Sequence, residues 1–209
     1  ALRGEDCKGV VWRLGKKPGP DHFSRHFDKI VQPNGLNEDQ RSVPCPIWNR
    51  FDGSRGTENI AMLNVHETLA QEVANNDTLL ERLQALHDEA LLPPVYYSSP
   101  VVVQHGVGVF PLVVYMDSVP FAKKDAAFGL FIYNIITGMR HLVLALRKNQ
   151  LCKCVCKGWC TLYPALLHVR HCTDAAADGT YPRTGFPLDD EVRAGRAGSS
   201  LGAKFTVIF

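Results

Sequence analysis

The sequence predicts a mixed α/β fold of the α+β kind, on three observations. Apolar runs recur over 110–116, 128–136 and 140–146 with short connections between them, which is the pattern of an antiparallel meander. Helical spacing precedes them: Val65, Leu69 and Val73 fall on one face, and Leu79, Leu80, Leu83 and Leu86 recur in a second segment. A further helix is predicted over 162–177, stopped by Gly179, and a last strand over 203–209.

Taken in order, residues 1–60 are rich in breakers. Pro18-Gly19-Pro20, Pro33-Asn34-Gly35, Pro44-Cys45-Pro46 and Asp52-Gly53 mark turns. The expectation is an irregular N-terminal arm with one short helix over 21–31, where Phe23, Phe27 and Ile30 share a face. Residues 61–95 form the helical pair. Asn64 caps the first helix, with Glu67 three residues on as in a capping box. Asn75-Asn76-Asp77 separates the two helices and Pro93-Pro94 ends the second. Residues 108–209 form the last unit. The run over 110–116 lacks alternation, so it is expected to be buried on both faces. Thr137-Gly138 turns the second strand into the third.

Composition narrows the function classes. The chain has 209 residues, 45% of them hydrophobic, enough for a real core. Twenty-three Lys+Arg against 21 Asp+Glu leave +2, too weak a balance to announce a nucleic-acid binder by itself. No apolar run approaches the roughly 18–20 residues of a membrane span, and the composition reads as that of a soluble chain. Seven cysteines, four of them crowded into 152–160, favour a reducing, intracellular compartment over a disulfide scaffold.

Three constellations can carry chemistry. Asp117 ends the first apolar run, and an acid there needs water, a partner or a metal. In two-metal nucleotidyl transfer such an Asp holds Mg²⁺ beside other carboxylates. Asp125 is a nearby candidate, and Asp189, Asp190 and Glu191 form a later acidic run. The alternative is a turn cap leading to Pro120. The second constellation is Cys152, Cys154, Cys156 and Cys160. Four thiolates complete a tetrahedron around Zn²⁺, and Gly158 lets the backbone bring Cys160 round. The spacing is tighter than in common knuckles, so His168 or Cys172, four apart on a helix with His171 nearby, are candidate substitutes. The alternative is a set of reduced, partly buried thiols. The third is scattered base (Lys123, Lys124, Arg140, Arg147, Lys148, Lys153, Lys157) interleaved with Phe121, Tyr133 and Trp159. It reads either as a stacking-plus-phosphate surface or as a solvated strand edge. No phosphate loop, dinucleotide fingerprint or hydrolase motif is present.

The stretches Val113-Val-Tyr-Met-Asp-Ser-Val-Pro-Phe121, Tyr133-Asn-Ile-Ile-Thr-Gly-Met-Arg-His-Leu142 and Leu151-Cys-Lys-Cys-Val-Cys-Lys-Gly-Trp-Cys-Thr161 resemble repeated transposon-related reading frames of dinoflagellate genomes. Those look distantly like RNase H-like transposases of the Kyakuja-Dileera-Zisupton and Plavaka kind. The resemblance runs from Asn64 to about Phe209. It implies an RNase H-like half-domain: three antiparallel strands, a helix, and a fourth strand, here truncated, beside the first. It places the first catalytic carboxylate at Asp117 and implies Mg²⁺-dependent DNA cleavage and joining in the nucleus. The second carboxylate is expected after the fourth strand, so the set is incomplete here and the chain is expected to be inactive alone. The rival expectation is a non-enzymatic structural subunit of a larger protein assembly.

Overall fold

The computed structural model describes residues 40–49, 51–122, 125–183 and 195–208. Strands β1 (Gln40–Asn49) and β2 (Ser54–Leu63) form an antiparallel hairpin in unbroken register from Gln40↔Leu63 to Asn49↔Ser54. The irregular arm expected over 1–60 is corrected for the part the hairpin covers, from Gln40 on; residues 1–39 lie outside the described residues. Pro44 and Pro46 lie two apart on β1, so both missing N–H groups face the same edge of a strand with one described neighbour, and on the edge away from β2 proline is tolerated. Val43 and Cys45 on β1 and Ile60 and Met62 on β2 are buried. The turn follows expectation: Gly53 has φ +68° and donates its N–H to the Asn49 carbonyl at 3.0 Å. The short helix expected over 21–31 lies outside the described residues.

The helical pair is present as α1 (Val65–Ala74) and α2 (Leu79–Asp88). The expected capping box does not form. The Asn64 side chain makes no cap hydrogen bond; its carbonyl accepts from Glu67 and Thr68 instead. Glu67 is buried, with its carboxylate 3.9 Å from both His66 and Arg196. Two short helices follow that the sequence reading did not foresee, α3 (Pro94–Tyr97) and α4 (Pro100–His105). Each begins on a proline, whose missing N–H costs nothing in a first helical turn.

The meander is β3 (Val109–Ala122), β4 (Asp125–Asn134) and β5 (Arg140–Arg147), antiparallel throughout. A 3₁₀ turn (Lys148–Gln150) and a cysteine loop lead into α5 (Trp159–Asp178). The short β6 (Lys204–Val207) then pairs parallel to β3, giving the order β5-β4-β3-β6. With five α-helices and two sheets among the described residues, the chain is a mixed α+β fold. No described helix is long and apolar enough to cross a membrane.

The segments anticipated as separate units share one core, in which Val43, Leu69, Leu83, Leu130, Leu144, Val169 and Phe205 all belong. The run over 110–116 is not buried along its whole length. Phe110 and Leu112 are buried, but Met116 is 56% exposed. The cause is topological: β6 pairs only with Val109–Leu112, so the rest of β3 extends past that neighbour.

Candidate metal centre

The cysteine loop is built by two consecutive left-handed residues. Lys157 has φ +52° and Gly158 φ +94°, which turns the chain sharply just before α5 begins. Lys157 adopts this conformation without the freedom of glycine, a strain of order 1 kcal/mol or more. A Cβ at Gly158 would stand 3.2 Å from Leu151 Cβ, so this position demands glycine on both conformational and steric grounds. The Lys157 N–H donates to the Cys154 carbonyl and the Trp159 N–H to the Cys156 carbonyl, each at 3.0 Å. Cys160, in the first turn of α5, therefore faces back onto the loop.

The four ligand atoms of Cys152, Cys154, Cys156 and Cys160 lie within 4.8 Å of one another. Cys154 Sγ is 2.7 Å from Cys156 Sγ and 3.2 Å from Cys160 Sγ, and Cys156 Sγ is 3.0 Å from Cys160 Sγ. These separations are shorter than the roughly 3.5–4.0 Å at which even carbon atoms rest against each other, and none of the pairs is a disulfide. The sulfurs thus point at one common centre. With Zn–S bonds of about 2.3 Å, the edge of a zinc tetrathiolate tetrahedron is about 3.8 Å, a change that small side-chain rotations supply. The four cysteines can hold a metal ion.

Crowded thiols share protons unequally. Cys156 is pulled down to about 6 by the Cys154 and Cys160 side chains and by the Cys160 N–H, which donates to its sulfur at 3.3 Å. Cys160 is pushed up, chiefly by Cys156, and Cys154 is pushed up by the same neighbour. Cys152 is held below its ordinary value by the Cys154 backbone N–H and then by Cys160, with a smaller pull from the Arg55 guanidinium. A metal that takes all four as thiolates must displace the protons retained by Cys154 and Cys160.

Thr161 ties the loop to the rest of the fold. Its fully buried hydroxyl accepts the Cys152 N–H at 2.8 Å and donates to the Pro46 carbonyl on β1 at 2.5 Å. Gln150 adds a 3.5 Å contact to Glu58 on β2. The centre is therefore anchored on α5 and on the hairpin, and sequence reasoning missed Thr161 because its partner stands more than a hundred residues earlier.

The other sequence candidates fall elsewhere. His168 and Cys172 are corrected as substitute ligands. They share a face of α5, with His168 Nε2 3.6 Å from Cys172 Sγ, but take no part in the thiol group. Eight residues of helix rise about 12 Å, which carries His168 well away from Cys160. Its Nε2–H donates to the Leu63 carbonyl at 3.1 Å, and burial pushes the imidazole down to about 4. Burial pushes Cys172 up to about 12 and Cys45 up to about 11, so both are neutral structural thiols.

Asp117 lies within β3 rather than at its end, opposite Gly129, and is exposed. Its Oδ1 accepts the Ser118 N–H at 2.7 Å. Among the described residues it joins no group of metal-binding side chains. Asp125 opens β4, but its side chain lies outside the described residues, as do those of Phe121, Lys123, Lys124, Asp189, Asp190 and Glu191. Of the scattered bases, Arg147 is buried, Arg140 lies 5.7 Å from the Tyr133 ring, and Lys153 Nζ lies 5.5 Å from the Trp48 ring.

No family model, curated protein or solved structure matches the chain.

Proposed function

We propose that the four cysteines hold one Zn²⁺ as a structural staple. The observation that carries this reading is the convergence of four sulfurs within 4.8 Å on a loop already buttressed by Thr161. Zinc supplies no redox chemistry; coordinated by four protein ligands it has no open position for a substrate, so its contribution is to fold and rigidity. Cys152, Cys154, Cys156 and Cys160 would hold it, and the Cys160 N–H directed at Cys156 Sγ stabilises the thiolate it reaches. Protein purified without chelators is expected to contain about one zinc per chain, measured by elemental analysis. Those four thiols should resist alkylation until the metal is removed. Metal-free protein whose four thiols all alkylate at once would end this reading.

The module is read as descended from an RNase H-like transposase, and as unable to cut or join DNA by itself. The sheet order supports the descent: a three-strand antiparallel meander, then α5, then β6 parallel beside the first meander strand. The inactivity rests on Asp117. Two-metal catalysis needs several carboxylates converging on ions about 4 Å apart. β6 pairs no further along β3 than Leu112, five residues short of Asp117, or about 16 Å at strand rise. No described acid stands with it. The purified chain incubated with DNA and Mg²⁺ or Mn²⁺ is expected to leave it intact. Cleavage that vanishes in Asp117→Asn would overturn this. The rival reading, a non-enzymatic subunit of a larger assembly, is favoured by β6, a short strand whose other edge has no described neighbour.

A further inference from the structure

The surface around the cysteine centre joins three parts of the chain. The hairpin end brings Trp48 and Arg55, directly paired across β1 and β2. The cysteine loop brings Lys153 and Lys157, both exposed, with Lys153 Nζ 5.5 Å from the Trp48 ring. The first turns of α5 bring Trp159, 54% exposed, and Tyr163, 51% exposed, with ring centroids 6.2 Å apart. Large aromatics so exposed do not serve the core, and their spacing of four places both on one face of the helix.

The charge around them is mainly of one sign. From Ala126 to Thr173 the chain contains no aspartate or glutamate, whereas Arg140, Arg147, Lys148, Lys153, Lys157 and Arg170 are cationic. A zinc tetrathiolate carries a formal charge of about −2, and exposed Arg55, Lys148, Lys153 and Lys157 exceed it. Asp52, at the hairpin turn, keeps its charge but is engaged locally: its carboxylate accepts from Asn49 at 3.0 Å and from the Ser54 N–H and hydroxyl at 2.9 and 2.7 Å. Glu58 is turned to Gln150.

We propose that this surface binds single-stranded nucleic acid, with Trp159 and Tyr163 stacking on unpaired bases and Arg55, Lys153 and Lys157 contacting the phosphates. Cations beside exposed rings are the combination that single strands recognise: phosphates supply charge, and every unpaired base has a π-face. A duplex offers only the phosphates, because its base faces are already stacked. The proposal rests on the zinc reading, since the metal would hold the loop that positions Lys153, Lys157 and Trp159 against the hairpin.

The test is fluorescence anisotropy of labelled oligo-dT and oligo-rU of about 20 nucleotides, titrated with the full chain at several salt concentrations, with zinc content measured on every sample. Binding of either strand, tighter than to a duplex of equal length or to heparin, is expected. Trp159→Ala should weaken it about ten-fold, and Trp159→Phe should recover most of that. The double variant Lys153→Gln/Lys157→Gln should lower the slope of log K against log salt by about 1.4, from roughly 0.7 for each phosphate contact. All variants should keep their zinc. A zinc-loaded wild type that binds neither strand, or binds duplex or heparin equally well, overturns the proposal and leaves the zinc reading standing. Zinc-free protein with intact binding overturns the zinc reading and the metal's part in this one. Loss of zinc in the lysine double variant would assign those cations to the metal centre and overturn their role on phosphate.

Discussion

Cys160→Ser should lower zinc affinity by at least about 100-fold, more than the 10–100-fold typical of disrupting a residue behind a ligand. A serine hydroxyl stays protonated near neutral pH, and zinc requires a deprotonated donor. Ligand linkage converts this into stability: at free zinc 100-fold above the wild-type dissociation constant, bound metal contributes about 2.7 kcal/mol. For a chain of this size that amounts to a fall in melting temperature of about 5–10 °C. A chelator should bring the wild type down to the metal-free variant and move the variant by no more than about 0.4 kcal/mol. Cys172→Ala is the control, because Cys172 is fully buried and outside the thiol group. It should lower stability through packing while zinc content holds. Acid should mimic the ligand loss. Protons compete for the thiolates, so metal-dependent stability is greatest at alkaline pH, declines as pH falls because Cys154 and Cys160 must give up protons to bind, and declines more steeply below about 6, where Cys156 also retakes its proton. A wild type whose melting is indifferent to chelator would show that the sulfurs staple nothing.

Phe205→Ala should cost about 3–5 kcal/mol, the range for deleting a fully buried phenylalanine. Phe205 is 1% exposed, and its ring lies 5.5 Å from that of Phe110, its partner in the β3–β6 register. β6 has only four residues, so few ladder hydrogen bonds hold it and side-chain burial must do the rest. Phe205→Leu keeps most of the volume and should lose much less. Urea unfolding at constant m-value is the measurement. A loss below about 1 kcal/mol would mean that β6 does not dock beside β3, and the sheet order would have to be redrawn.

Local signals carried much of the architecture. The meander was legible because its apolar runs are long and their connections short, and Gly179 marked the end of α5 in the sequence, where φ is +71°. The hairpin of β1 and β2 was missed although Val43, Cys45 and Ile47 alternate, because the intervening prolines were read as turns. Whether a proline breaks a strand depends on which edge its missing donor faces, and that requires knowing the neighbours. The same limit applied at Asp117: an apolar run predicts a strand, but burial depends on how far the adjacent strand extends.

At the cysteine cluster, sequence alone grouped Cys152, Cys154, Cys156 and Cys160, because residues within nine positions of one another cannot travel far apart once a tight turn joins them, but it left His168 and Cys172 open as substitutes. It also determined the α+β class, through the period of each apolar run. Only the tertiary structure decided that His168 and Cys172 stand away from the sulfurs, that Thr161 clasps the loop to Pro46, and that Trp48 and Arg55 arrive beside Lys153. Those placements follow from α5 and the hairpin packing on one core. Such packing joins residues about a hundred positions apart through buried area and shape, which no short spacing in the chain encodes.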